Sequence, residues 1–460
     1  MKKRTKILLI AVVMLITAGL AFGADIYVSV ETGTSRGAEG TKEKPYKDLQ
    51  AALDKAAIGD VVRVAAGNYL GTTDRGYLIM ERPVSLIGGY DTSFTKRDVL
   101  KNRTMIQPTP AQGTTAGNNA SLALGKNNGD FKVPAPGITI DGIIFDRGFS
   151  NGYHPEKGKP EGVETGIILY PPNTGMNRDQ PKDVFTLKTP FITFSATPAN
   201  TSGNITIQNC AFVNGGWYGI QGTFLKGKIT IRNNIFVATG MAALDIMGQT
   251  SGPSPHPDAY STVVDFSYNT VLFTWSRLSD LADMGYGYRY RLGVNTDVDH
   301  CIIGCSVLAA LDRSRTDNPS GPDRGKRKTG VENTAFFLNR KGDMEVPANN
   351  TQTMMIRYNQ FEDRPEEEIY KCDGNIELSG DKLKGKINEA YLKGFLSMVY
   401  SEKTDFDPNS SANQFRKAMG MNQVGTITTK VDMFGNRYPL EDALKLFGAV
   451  PNYGAQAIKN

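Results

Sequence analysis

Three aspartates share one offset from a recurring polar position. Cys210, Asn234, Asn269, Cys301, Asn333 and Asn359 close similar short segments, at separations of 24, 35, 32, 32 and 26 residues. Eleven residues past the first four stand Gln221, Asp245, Asp280 and Asp312. Each follows a residue suited to an interior position, Ile220, Leu244, Ser279 or Leu311, so strand alternation turns the next side chain outward. Segments stacked as neighbouring strands would bring adjacent carboxylates to about 5 Å and the outer two to about 10 Å. Like charges that close repel. A divalent cation such as Ca²⁺ would join Asp245, Asp280 and Asp312 into a metal site. One acid with a raised pKa would instead act as a general acid. Insertions that shift the register would leave three solvated acids and no site. The sequence leaves these three readings open.

Cations and rings gather on the same stretch. Arg289, Arg291 and Arg313 are candidate catalytic groups, as clamp or base, and Trp217, Trp275, Tyr288 and Arg315 are candidate substrate-binding groups. Aromatic faces stack on sugar rings, and guanidinium groups pair with carboxylates in two-pronged geometry. Together they suit an acidic polysaccharide. An aromatic-rich turn followed by a solvated basic loop is the blander account. Other chemistries find little support. Only three histidines are present, His154, His256 and His300, far apart, which disfavours a multi-histidine metal or haem site. No Gly-x-Ser-x-Gly elbow or phosphate-cradling glycine loop occurs.

These side chains need a scaffold, and the repeats predict one. Ile205-Thr-Ile-Gln-Asn-Cys-Ala-Phe212 and Ile229-Thr-Ile-Arg-Asn-Asn-Ile-Phe236 match closely. Val264–Val271, Gly330–Phe336 and Met355–Phe361 are related. Each alternates apolar and polar residues over four to six positions and ends in Gly, Asn or Asp, which is the signature of a short strand. A variable period around a constant strand core predicts coils of one solenoid with loops inserted at the corners. Cysteines within the asparagine column predict that Cys210 and Cys301 are small interior residues, too far apart to be disulfide-bonded to each other.

The opening adds a cap. Strand Asp25–Ser29 is followed by Gly33, Gly37 and Gly40, by Lys44-Pro45-Tyr46, and by an amphipathic helix through Leu49, Ala52, Leu53 and Ala56. Gly59-Asp60, strand Val61–Val64, Gly67-Asn-Tyr69 and Leu86-Ile-Gly-Gly-Tyr-Asp-Thr-Ser-Phe94 come next. This stretch resembles the entry segment of secreted right-handed parallel β-helix proteins of the pectate-lyase-like superfamily. The resemblance is close over about residues 25–100 and loose to about 363. It implies an all-β right-handed parallel β-helix with an N-terminal capping helix and a C-terminal mixed extension. It leaves the activity open, because that superfamily holds lyases, hydrolases, epimerases and non-catalytic surface proteins.

Residues 1–23 read as a secretory signal peptide. They carry Lys2, Lys3, Arg4 and Lys6, an apolar run from Ile7 to Ile16, and small Ala21 and Gly23 before a cut at Gly23–Ala24. The expected location is secreted, periplasmic or cell-surface, with no membrane attachment after cleavage. Four of the 52 basic residues fall in this segment and no acid does, leaving 48 against 47. Nucleic acid is therefore not an expected partner. The expected organisation is 1–23 signal, 24–363 β-helix with long loops at 107–136, 148–190, 248–260 and 313–330, and 364–460 a C-terminal extension with short helices that packs on the solenoid. The oligomeric state stays open. The function expected first is a lyase cleaving an acidic polysaccharide by β-elimination. The alternatives are a non-catalytic extracellular protein that binds glycans or forms surface structure, and a glycoside hydrolase with paired aspartates.

Overall fold

One coil shows how the sequence makes the fold. In Ile205–Gln208 the two isoleucines are buried while Thr206 and Gln208 face outward. Asn209 then adopts the left-handed region at φ 53° and turns the chain into Ala211–Val213. The same left-handed step recurs at Gly142, Asn233, Tyr268, His300 and Asn333, with φ between 47° and 71°. Asparagine and, less often, histidine are found in this region, whereas for tyrosine it costs roughly 1 kcal/mol or more. Tyr268 and His300 partly offset that cost by stacking, with centroids 4.8 Å apart and planes 15° off parallel.

The computed structural model describes residues 23–71, 77–107, 120–125, 131–147, 151–153, 184–186, 190–194, 201–248, 262–275, 285–291, 293–313, 328–349, 352–366, 368–389, 391–392, 402–403, 417, 426–427 and 438–459. Its strands form a parallel β-helix of three sheets. The first sheet stacks strands such as Val61–Ala65, Ile138–Asp141, Ile205–Gln208, Thr262–Ser267 and Val294–Asp299 in parallel. The second stacks Ile143–Asp146, Ala211–Val213, Ile235–Gly240, Thr270–Trp275 and Ile302–Ser306. The third stacks Leu122–Leu124, Ile192–Phe194, Ala242–Gly248, Tyr286–Tyr290, Ala309–Asp312 and Gly342–Pro347. The strand Ile220–Arg232 belongs to the third sheet at its start and to the first at its end.

Identical side chains stack inside, as parallel register requires. Phe145, Phe212 and Phe236 lie ring on ring, at centroid distances of 5.0 and 4.6 Å and interplanar angles of 4° and 8°. Full burial of such a side chain contributes about 1.5–3 kcal/mol. The interior polar column is real but differs from the expected one at its end. Asn234 Oδ1 accepts the Cys210 amide at 2.9 Å, Asn269 Oδ1 accepts the Asn234 amide at 3.0 Å, and the Asn269 amide meets Cys301 Sγ at 3.4 Å. The next members are Thr334 and Asn375, not Asn333 and Asn359. Asn333 is the left-handed residue one place earlier, and Asn359 lies in the 3-10 turn Tyr358–Gln360. Cys210, Cys301, Cys305 and Cys372 are all free thiols.

Helix α1, Leu49–Lys55, starts where Asp48 accepts the Ala51 amide at 2.7 Å. It buries Leu49, Ala52 and Leu53 in the core, against the first strands of the solenoid. At the other end the second sheet continues past residue 363 to Ile376–Glu377. The 107–136 stretch, expected to be a loop, contains rungs of the third sheet at Leu122–Leu124 and Phe131–Lys132. Their short alternation was hidden by Gly- and Asn-rich flanks. The other expected loops lie mostly outside the described residues. Described parts of the C-terminal extension, 378–389, 391–392 and 438–459, lie on the outer face of the second sheet. There Leu383, Tyr391, Tyr438, Leu444, Leu446 and Val450 cluster with Val213, Val237, Leu272 and Ile302. Asn214 and Tyr438 exchange two hydrogen bonds of 3.1 and 2.8 Å, and Thr270 and Asn233 accept the amides of Ala455 and Gln456. Helix α2, Leu440–Leu444, is tied on by a two-pronged pair between Arg103 and Glu441.

Candidate functional site

The third sheet repeats a four-residue pattern: Ala242-Ala-Leu-Asp245, Tyr286-Gly-Tyr-Arg289, Ala309-Ala-Leu-Asp312 and Gly342-Asp-Met-Glu345. The third residue points inward, and Leu244, Tyr288, Leu311 and Met344 are fully buried in the main core. The fourth points outward. Gln221, Asp245, Arg289, Asp312 and Glu345 therefore occupy successive rungs of one column.

This corrects the expected column of three acids. The rung between Asp245 and Asp312 holds Arg289, and Asp280 lies outside the described residues. The correction removes the expected repulsion, because a cation now separates the two carboxylates. Arg289 Nε is 3.0 Å from Asp312 Oδ2, and Arg291 Nη2 is 2.8 Å from Asp245 Oδ2. Gln221 Nε2 donates to the same Asp245 oxygen at 3.3 Å. Thr353 Oγ1 donates to Glu345 Oε1 at 2.5 Å, and the Tyr286 hydroxyl donates to the other Glu345 oxygen.

The column faces outward, yet its middle three rungs are buried. Asp245 is 0% exposed, Asp312 2% and Arg289 8%. Beside it Tyr218, Met241, Ala242, Tyr286, Leu308 and Ala309 form a separate apolar cluster, with Trp217 and Met355 packed against it. Burial sets the titration. It pushes the Asp245 carboxyl above its ordinary value, against the pull of Arg291 and Arg289. Its Oδ1 is buried without a hydrogen-bond partner among the described residues. Burial also acts to lower Arg289, but Asp312 and Asp245 outweigh it and hold the guanidinium charged. Tyr218, hydrogen-bonded to Arg289, has its phenol pushed up to about 12 by burial and then by Asp245. Tyr286 is pushed up further, by burial, Asp312 and Glu345.

The other sequence candidates distribute as follows. Arg291 reaches the column through Asp245. Arg313 is 1% exposed and follows Asp312, its amide donating to the Glu345 carbonyl at 2.9 Å. Trp217 is half-buried, edge-on to Tyr218 with centroids 5.6 Å apart. Trp275 ends a strand of the second sheet, opposite Gly240. Tyr288 is not substrate-facing. Its ring lies inside the coil, 5.1 Å from those of Phe266 and Tyr290, and its hydroxyl meets Thr296 Oγ1 at 3.0 Å. Position three of the repeat explains this, since that position points inward. Arg315 lies outside the described residues. Arg289 as a member of the column, together with Tyr218, Tyr286 and Glu345, is what counting by a fixed offset missed. Aligning the four-residue pattern across rungs identifies three of them.

Calcium fits the described residues poorly. Among them no group of three or more His, Cys, Asp or Glu converges, and each of the two column aspartates already faces a guanidinium.

No protein-family model and no curated protein matches the chain. Solved structures similar to it include a pectate lyase, Pel9A, at 12% identity over 96% of this chain and 98% of that one, with a TM-score of 0.32. A rhamnogalacturonan lyase matches at 9% identity, over 94% and 100% of the two chains, with a TM-score of 0.31. A lacto-N-biosidase from Eubacterium ramulus matches at 11% identity, over 70% and 68%, with a TM-score of 0.28. Likeness at this level carries no argument about activity.

Proposed function

We propose that the chain is an exported carbohydrate-active protein that cleaves an acidic polysaccharide by β-elimination on the outer face of the third sheet. The observation that supports this reading is the pair Arg289 and Arg291, at and just past the end of the strand Tyr286–Tyr290, beside buried Asp245. Guanidinium groups in a water-poor site neutralise a uronate carboxylate strongly, and that makes the adjacent C–H acidic. Arg289, held charged by its acids, suits the clamp. Arg291 would take the α-proton as the neutral guanidine, having passed a proton to Asp245, whose carboxylate lies 2.8 Å away. A double bond then forms between the α and β carbons as the bond to the leaving oxygen breaks. Tyr218, which keeps its proton, would supply one to that oxygen. Half-buried Trp217 offers a face for a neighbouring sugar ring. Export rests on the N-terminal pattern of residues 1–23.

The test is ultraviolet absorbance of unsaturated product on a panel of uronate polymers, using the parent and Arg291→Ala. Product from the parent and a loss of at least about 100-fold in the variant are expected. No absorbance on any polymer overturns the lyase reading. A hydrolase reading has one observation in its favour. Asp245 and Asp312 are two rungs, about 10 Å, apart; both are ion-paired, and burial raises the Asp245 carboxyl. That spacing is near the range for an inverting pair. New reducing ends without absorbance would select it, and binding without any product would select a non-catalytic role.

A further inference from the structure

A second polar row runs inside the solenoid, at the corner between the second and third sheets. The left-handed residues Asn214, Ala238, Phe273, Cys305 and Leu338 precede Gly215, Thr239, Thr274, Ser306 and Asn339. Thr239, Thr274 and Ser306 are register partners on successive rungs. Asn339 follows above them, its Oδ1 accepting the Ser306 amide at 3.2 Å. The two threonines and the serine are 0% exposed, and Asn339 is 3% exposed. None of the three hydroxyls has a hydrogen-bond partner among the described residues.

The row is closed at both ends. A Cβ on Gly215 would stand 2.7 Å from a ring carbon of the core residue Phe191 and 3.3 Å from Thr239 Cγ2, so Phe191 fills the lower end. Asn339 Nδ2 is engaged by the Ile303 carbonyl at 2.9 Å and by Asp343 Oδ1 at 3.2 Å, which fixes the upper end. Hydroxyls on neighbouring rungs stand about 4.8 Å apart, too far for a direct bond of about 2.7–2.8 Å. A water oxygen about 2.8 Å from each of two such hydroxyls would be centred on an angle of about 118°, close to tetrahedral. Left dry, three buried hydroxyls would be a standing cost, and buried polar groups ordinarily find protein or water.

We infer that ordered water molecules bridge Thr239, Thr274 and Ser306, so that the solenoid carries an internal file of water along this corner. The ligand is water and not a metal ion, because the row offers only neutral oxygens.

The sign of one substitution tests this. Thr274→Val keeps the shape and removes the central hydroxyl. If water bridges the row, the change leaves water and both neighbouring hydroxyls short of a partner, and Tm falls by several degrees. If the row is dry, the change removes an unsatisfied hydroxyl, and Tm stays level or rises, which overturns the inference. A high-resolution crystal structure of the parent is the second measurement, and it also decides the matter should the variant fail to fold. Water density between consecutive hydroxyls supports the file. Continuous protein contact without such density overturns it.

Discussion

The outer faces of the second and third sheets are both buried along part of their length, by opposite means. On the second sheet, Val213, Val237, Leu272 and Ile302 meet the chain's own C-terminal residues, Tyr438, Leu444, Leu446 and Val450. The polar groups there close neatly, as in the reciprocal bonds of Asn214 with Tyr438. On the third sheet, Asp245, Arg289 and Asp312 are nearly as dry, and Asp245 keeps a buried oxygen unsatisfied. Apolar burial stabilises in proportion to area, whereas a buried ion pair roughly breaks even against an apolar one of the same shape. The first face is therefore explained by stability and the second is not. That contrast, and not the bare presence of charge, marks the third sheet as the place to look for function.

The largest expected effect would break the contrast at its stable side. Tyr438 is 1% exposed, its ring lies against Phe273 and Tyr391, and its hydroxyl accepts the Asn388 amide at 2.9 Å. Tyr438→Ala should cost about 3–5 kcal/mol of stability, measured by chemical denaturation. It should leave the turnover of folded protein unchanged on any substrate found. A loss below about 1 kcal/mol would show that the C-terminal segment is only loosely laid on the sheet.

How far each face could be read from the sequence follows from the same physics. Strand alternation and the asparagine column announce the coils, because stacked rungs impose the same residue class at the same place. Cys210, Asn234, Asn269 and Cys301 are visible for that reason. The register fails where chain length between rungs changes. Counting eleven residues from Asn269 reaches Asp280, whereas the sheet places Arg289 there. No fixed offset survives an insertion, but the four-residue pattern does, because it is set by which way each side chain points. Chemistry alone points Tyr288 toward a substrate, whereas its place in that pattern sends it inward. The cover on the second sheet was legible only as apolar helical spacing, since contacts such as Asn214 with Tyr438 span 224 residues.

An intermediate effect would sharpen the contrast. Arg289→Met combined with Asp312→Leu replaces a buried ion pair with apolar side chains of similar volume. Stability should be unchanged or higher by about 1–4 kcal/mol, while cleavage or uronate binding is lost. Either single change should destabilise, because it leaves the other charge buried alone. If the double variant is several kcal/mol less stable than the parent, the column is a structural element like the second sheet's cover, and its claim to function falls.

The smallest effect concerns Asp245 alone, and its sign is fixed by burial. The folded protein holds this carboxyl above its ordinary value of 3.8, through burial that Arg291 and Arg289 only partly oppose. Below both values the group is protonated in the folded and unfolded chains, and it contributes no pH dependence. As pH rises past the ordinary value, the unfolded chain releases its proton first. The folded state then binds more protons than the unfolded, and stability falls with rising pH until the folded carboxyl has also ionised. Asp245→Asn removes that titration while keeping the shape. The Tm of the variant minus that of the parent should therefore increase from acid toward neutral pH. The increase should begin near the ordinary carboxylate range and level off above the folded value. A difference that stays flat would mean that Arg291 just balances burial, and one that runs the other way that it more than compensates. The third sheet's column would then be as well satisfied as the second sheet's cover, and the contrast between the two faces would close.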